Sequence, residues 1–184
     1  MKRHPALLLC WSVVACLCSC ASSQEVRPPV EWGFEREAIG LSLTGDPRLN
    51  LYQKNPHALV ACIYQLRDPN AFNQLRNEPD GPERLLECSR FDQAVATARR
   101  VVIQPGQLLN DVLDRAEGAR YIGFAAGYYL LDKERSVRLY PIPTREETKG
   151  FVNRTKLVKP GRVDIRLHLG PQEIHDVKEE PRKP

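Results

Sequence analysis

"ALVACIYQL", residues 58–66, is apolar on both of its faces. A strand with one wet face alternates apolar and polar side chains, because successive residues point to opposite sides of a sheet. A run with no polar face, part β-branched and part aromatic, predicts instead a central strand covered from both sides. Asp68-Pro69-Asn70 then opens a different region. Asp68 is placed to cap a helix with Pro69 at its first position, and Phe72 and Leu75 share one face of that helix. "NEPDGPE", residues 77–83, breaks it, and Leu85-Leu86 begins a second short buried piece. Phe91, Ala94, Val95 and Ala98 keep helical spacing over about two turns.

The flanking segments are strands. Ile39, Leu41 and Leu43 alternate with Gly40, Ser42 and Thr44. Val163, Ile165, Leu167 and Leu169 alternate strictly with Arg162, Asp164, Arg166 and His168, giving one buried and one solvated face. "YIGFAAGYYLL", residues 121–131, is a second strand apolar on both faces, with Gly123 and Gly127 marking bulges or close packing. Val101-Val102-Ile103 is a short strand stopped by Pro105-Gly106, and "DKER" is a charged turn into a strand over 137–140. Residues 107–117 are ambiguous, since Leu109, Val112, Leu113 and Ala116 fit a helix. Short strands with small helices between them predict a mainly β chain, an antiparallel β-sandwich over 32–174 with a helical insertion at about 68–98. The polar stretch 175–184 reads as a disordered tail.

The N-terminal region points to export. Met1-Lys2-Arg3-His4 is basic, and Ala6 to Leu17 is apolar except for Ser12. This is the pattern of a signal peptide; a membrane-spanning helix needs roughly 20 apolar residues, and polarity sets in from Ser19. Leu17-Cys18-Ser19-Cys20 resembles a bacterial lipobox, which makes residues 1–19 the signal and Cys20 the lipidated N-terminus. Cys16 is the alternative site. Residues 20–31 then form a tether, with Pro28-Pro29 favouring extended chain. Of 27 basic residues, Lys2 and Arg3 leave with the signal, against 23 acidic ones. That near balance excludes the basic footprint of a nucleic-acid binder.

Catalytic and metal-binding patterns are sparse. His57, His168 and His175 are the histidines beyond the signal, and no pair has metal-ligand spacing. There is no nucleophile elbow, phosphate loop or H-E-x-x-H motif. The expectation is a protein that is not an enzyme and takes no cofactor. Cys62 and Cys88 remain after the signal; in an oxidising compartment they pair, or else each sits buried as a small apolar side chain.

"HALVACIYQLRDPNAFNQL", residues 57–75, resembles the TssJ/VasD lipoproteins of the type VI secretion system. Leu49-Asn50, Pro105-Gly106 and "YIGFAAGYY" follow the family's order, and with the lipobox the likeness spans about 20–140. It implies a transthyretin-like sandwich held by lipid in the inner leaflet of the outer membrane. It further implies that the chain holds the periplasmic domain of the IcmF-like subunit, TssM, and through it a TssL-containing membrane complex. Val137-Arg138 stands where the family commonly has Trp-Arg, and the helical pattern at 107–117 falls where the family implies strand. The rival readings are a secretin pilot or cell-wall-binding sandwich, and a periplasmic hydrolase on the same scaffold. For partner binding the expected surface is the loop from Pro47 to His57, with Leu49, Asn50, Leu51, Tyr52, Gln53 and Lys54 as an apolar centre in a polar rim. The plainer reading is that Leu49 and Leu51 cap the open end of the core.

Overall fold

A computed structural model of the chain describes residues 30–149 and 155–177. The expected signal peptide, Cys16, Cys20, most of the tether and the tail beyond Val177 lie outside the described residues. Strand β1 (Glu35–Gly45) is followed by β2 (Leu59–Leu66), helices α1 (Asn70–Asn77) and α2 (Gly81–Leu85), then β3 (Val95–Ile103), β4 (Leu108–Arg115) and β5 (Tyr121–Ala126). A one-turn helix α3 (Lys133–Ser136) leads into β6 (Val137–Pro141), β7 (Thr144–Lys149), β8 (Thr155–Pro160), β9 (Val163–Leu169) and β10 (Ile174–Asp176).

The chain is mainly β, and its strands form two four-stranded sheets, ordered β10-β9-β1-β4 and β3-β2-β5-β6, beside a two-stranded β7-β8 hairpin. The pairings are antiparallel except that β1 runs parallel to β9, matching Ile39 to Val163 and Leu43 to Leu167. Ile39, Leu41 and Leu43 of β1 and Ile165, Leu167 and Leu169 of β9 meet Leu59, Ala61 and Ile63 of β2 and Ile122 and Phe124 of β5 in the main core. The opposite face of β2 supplies Cys62, Tyr64 and Leu66 to a second cluster with Phe72, Leu75 and Leu85 of the helices. The second sheet is therefore covered twice, by the first sheet and by the helical layer.

Close contact organises that layer. Tyr64 donates to the Leu85 carbonyl and makes edge contacts with Phe72 and Phe91, ring centroids 5.8 and 5.6 Å away; such aromatic pairs contribute about 0.5–1.5 kcal/mol each beyond burial. A Cβ on Gly123 would sit 2.6 Å from the Phe72 ring, so this glycine of β5 lets α1 lie flat on the sheet. Cys62 on β2 and Cys88 after α2 are joined by a disulfide, with Cα atoms 5.2 Å apart. It ties the central strand to the loop that returns the chain to β3.

Several local readings need correction. Phe91, Ala94, Val95 and Ala98 do not form a helix. Asp92 Oδ1 accepts from Ala94 N in a turn, and β3 pairs with β2 from Val95 opposite Leu66 to Ile103 opposite Leu59. The tertiary partner extends the short 101–103 strand back through the supposed helix, so the helices end well before residue 98. Residues 107–117 are also strand: β4 alternates against β1, and its inward row is Leu109, Asp111 and Leu113. A charge in that row disguises the period of two, and Arg99 of β3 pairs with it at 2.7 Å. The strand read over 121–131 stops at Ala126, where Tyr128 N turns back to the Ala126 carbonyl. His175 and Asp176, assigned to the tail, pair with His168 and Leu167 of β9.

The disulfide encloses a separation of 26 residues, for which loop closure predicts about 3.5 kcal/mol of stabilisation. Alkylation of the natively purified chain without reductant should modify neither Cys62 nor Cys88, and mass spectrometry reads this directly; labelling of both would overturn the linkage. A second expectation concerns alkali. Burial raises the Tyr64 phenol from its ordinary 10 to about 12. It also raises those of Tyr128 and Tyr140, the latter helped by its hydrogen bond to Asp176. A group whose folded value lies above its unfolded one contributes stability below the unfolded value, lost as pH rises through the folded one. Unfolding between about pH 10 and 12 should accompany a late rise in tyrosinate absorbance, and Tyr64→Phe should shallow the pH dependence. An unaltered alkaline midpoint in that variant would contradict the assignment.

Candidate partner-docking surface

The loop from Asp46 to Ala58 joins β1 to β2 across one end of the sandwich, and neighbouring segments hold it there. Asp46 N donates to the Leu169 carbonyl, Leu51 N to Pro171, and His57 N back to Leu49. Asp46 Oδ2 also lies 3.1 Å from His168 Nε2. The loop contains a bridge between Tyr52 and Asn55, and its tight turn places Gln53 and Lys54 at φ 48° and 67°. It is a built element with its own hydrogen bonds, not slack chain.

Its residues divide into two groups. Leu49 is fully buried in the main core, so it caps the sandwich and is not a surface contact. Asn50 is 5% exposed and adopts φ 47°, a left-handed conformation that asparagine tolerates better than most residues. Its amide donates to the Ala58 carbonyl at 3.2 Å, and its Oδ1 accepts from Tyr129 N at 2.8 Å. It is a clamp between two loops, and expecting it at the surface missed this. Leu51 is half-buried, while Tyr52, Gln53 and Lys54 face solvent.

The second loop, 127–132, was not expected here at all. Tyr129 and Leu130 are 55% and 61% exposed. The Tyr129 ring stacks on Tyr52 with centroids 3.7 Å apart and planes within 7°, and His57 leans on both rings. The only sequence hint was the length of the apolar run, which continues five residues past the end of the strand. Its neighbour Tyr128 points inward, donating to the Glu173 carbonyl. An exposed, ordered tyrosine pair offers large contact area at small entropic cost, as interface hot spots do.

Arg138 has a different role. Its guanidinium donates to the Ile174 carbonyl and to the Glu134 carbonyl, and its Nε lies 3.3 Å from Asp176. Tyr140 also donates to Asp176. These bonds close the edge where β6 of one sheet meets β10 of the other. No group of three His, Cys, Asp or Glu side chains able to hold a metal occurs among the described residues.

Residues 37–172 match the family model described as type VI secretion lipoproteins (VasD, EvfM, TssJ). No curated protein matches the chain at a significant level. Among solved structures, the type VI secretion lipoprotein TssJ1 from Pseudomonas aeruginosa is similar, 19% identical with TM-score 0.58, covering 84% of this chain and 100% of that one. Lip of Serratia marcescens, a membrane-bound component of the type VI secretion system, is 19% identical with TM-score 0.57, covering 80% and 99%. A chain of the structure described as the TssM C-terminal domain from EAEC is 14% identical with TM-score 0.55, covering 77% and 98%. At these identities the likeness establishes the fold.

Removing the Asn50 amide leaves the Tyr129 N–H and the Ala58 carbonyl without their partner, which costs about 1–3 kcal/mol. Asn50→Ala should therefore lower the melting temperature more than Tyr52→Ala, which removes a half-exposed ring. Equal melts for Asn50→Ala and wild type would remove the clamp.

Proposed function

The chain belongs to the type VI secretion lipoprotein family, whose pattern covers residues 37–172, and from that premise we propose that it anchors the secretion membrane complex to the outer membrane. Its N-terminus carries lipid on Cys20 in the inner leaflet, and its sandwich holds the periplasmic domain of the IcmF-like subunit, TssM. Through TssM it connects indirectly to the TssL-containing part of the complex. The role is structural, with no catalysis and no cofactor. The observation that carries the docking half is the solvent-facing Tyr52–Tyr129 stack on a hydrogen-bonded loop, in the segment where the family resemblance puts partner binding. Lipid chemistry supports the anchoring half. Each buried methylene contributes about 0.8 kcal/mol, so one acyl chain holds marginally and several hold firmly. Ala21, not Asp, after the lipidated cysteine fits an outer-membrane destination.

The test crosslinks whole cells producing the full chain, then fractionates membranes and identifies the partners recovered. Wild type should enter the outer-membrane fraction and bring TssM with it. Cys20→Ser should release the protein from membranes or leave an uncleaved precursor. Mature outer-membrane protein in that variant would transfer lipidation to Cys16. Recovery of a secretin subunit or cell-wall fragments in place of TssM would overturn the docking half in favour of a pilot or wall-binding role.

A further inference from the structure

Strand β1 runs from the end of the sandwich where the chain enters to the end where loop 46–58 leaves. It lies between β9 and β4, and residues 39–44 are paired on both sides, with 163–168 of β9 and with 108–113 of β4. Its 11 residues, at about 3.3 Å each, cover about 36 Å. Ladder hydrogen bonds run across the strand direction, so a pull along β1 loads both ladders in shear. A slip of one residue would turn the buried Ile39, Leu41 and Leu43 out of the core. At the far end, Leu49 is sunk in the core and Asn50 holds Tyr129 N.

The ladder is interrupted at the root of the strand. Between Glu35 and Ile39 the register with β4 shifts, and Glu37 is left-handed at φ 50°, which is uncommon for residues other than glycine. Such an irregularity leaves backbone groups without ladder partners. Side chains replace them here from both neighbours. Asp114 Oδ1 of β4 accepts from Glu37 N at 2.8 Å, and Arg162, just before β9, donates Nη1 to the Glu37 carbonyl at 2.8 Å. Asp164 in turn accepts from Arg162 Nε at 3.1 Å. Gly40 makes room for that carboxylate, since a Cβ there would overlap Asp164 Oδ1. Just ahead, the Gly33 carbonyl accepts from the buried Arg115, which also pairs with Glu35 at 2.9 Å.

We propose that this clasp on Glu37 carries tension: Asp114 and Arg162 pass a pull arriving through the tether to β4 and β9 together, so that β1 is not peeled from its sheet one bond at a time. This rests on the anchoring reading above, in which lipid holds one end of β1 and the partner the other, and it adds the residues that withstand the resulting load. Both side chains are exposed, so truncating either leaves the core intact.

The experiment holds the detergent-solubilised full chain in an optical trap at constant force, with handles on Glu25→Cys and Lys54→Cys, and records its lifetime before unfolding. Asp114→Ala with Arg162→Ala should shorten that lifetime about tenfold or more, because bonds to charged groups are lost. Asp114→Asn keeps the accepting oxygen and should retain most of it. The same double variant pulled between Lys54→Cys and Gln74→Cys, a line that bypasses the root, should last as long as wild type. An unchanged lifetime in the first geometry overturns the clasp. Equal shortening in both geometries overturns it too, since the bonds would then contribute only ordinary stability. The pull needs no TssM, so either failure leaves the anchoring reading standing. A wild-type chain that recovers no TssM from crosslinked cells overturns that reading, and the proposed load falls with it.

Discussion

Ile63 and Tyr64 are neighbours in the chain, yet they belong to different cores. Ile63 packs between the two sheets, and Tyr64 packs under the helices. A strand buried on both faces has no tolerance for a one-residue slip, since that would exchange the two sets of side chains. Most of the molecule answers to this constraint. The helical layer exists to cover the outer face of β2 and β5. Gly123 keeps a side chain out of the space that Phe72 fills, and the Cys62–Cys88 disulfide fastens the layer's far end to β2. Gln65 shows the same demand in polar form. It is buried on the inner face, and its amide donates to the Asp114 carbonyl and accepts from Ala116 N. A polar residue is affordable there because both ends of its amide are used.

The two long seams of the sandwich are finished differently. Where β6 meets β10, one guanidinium bonds to backbone carbonyls on both sheets and to Asp176. Where β3 meets β4, the sheets are linked by the Gln104–Gln107 turn and by the Arg99–Asp111 pair, which is partly solvated. Partly exposed ion pairs contribute little stability; an inward-pointing charge on an edge strand more plainly discourages unwanted pairing with other chains. Loops 46–58 and 127–132 meet at one end of the sandwich, held there by the sheets behind them. Leu49 is sunk in the main core while Tyr52 stands out three residues later, so the loop is anchored by one side chain and displays another.

Reading the sequence was most successful where burial alone governs. The double-sided apolar run at 58–66, the first half of the one read over 121–131, the alternation in β1 and β9, and the first helix after Asp68 all follow from which side chains must leave water. The cysteine pair was legible because two thiols remained once the signal was set aside. Boundaries were less legible. Asp111 interrupts the apolar row of β4, and the spacing from Phe91 to Ala98 suits a helix as well as a turn followed by a strand.

What the amino-acid order determined by itself was the class of fold and the two-faced central strands, because apolar periodicity is a local property that any solvent-excluded core enforces; the family likeness lay in the order of its short motifs. The tertiary structure alone decided that 95–98 and 108–115 are strand, since only β2 and β1 as neighbours supply the hydrogen bonds that make them so. It alone set Tyr129 on Tyr52, joined His175 to β9 and turned Asn50 from a surface residue into a clamp. Each of these joins residues distant in the chain, and a ring stack or a shared amide depends on where two backbones meet in space, which residue spacing along one of them does not encode.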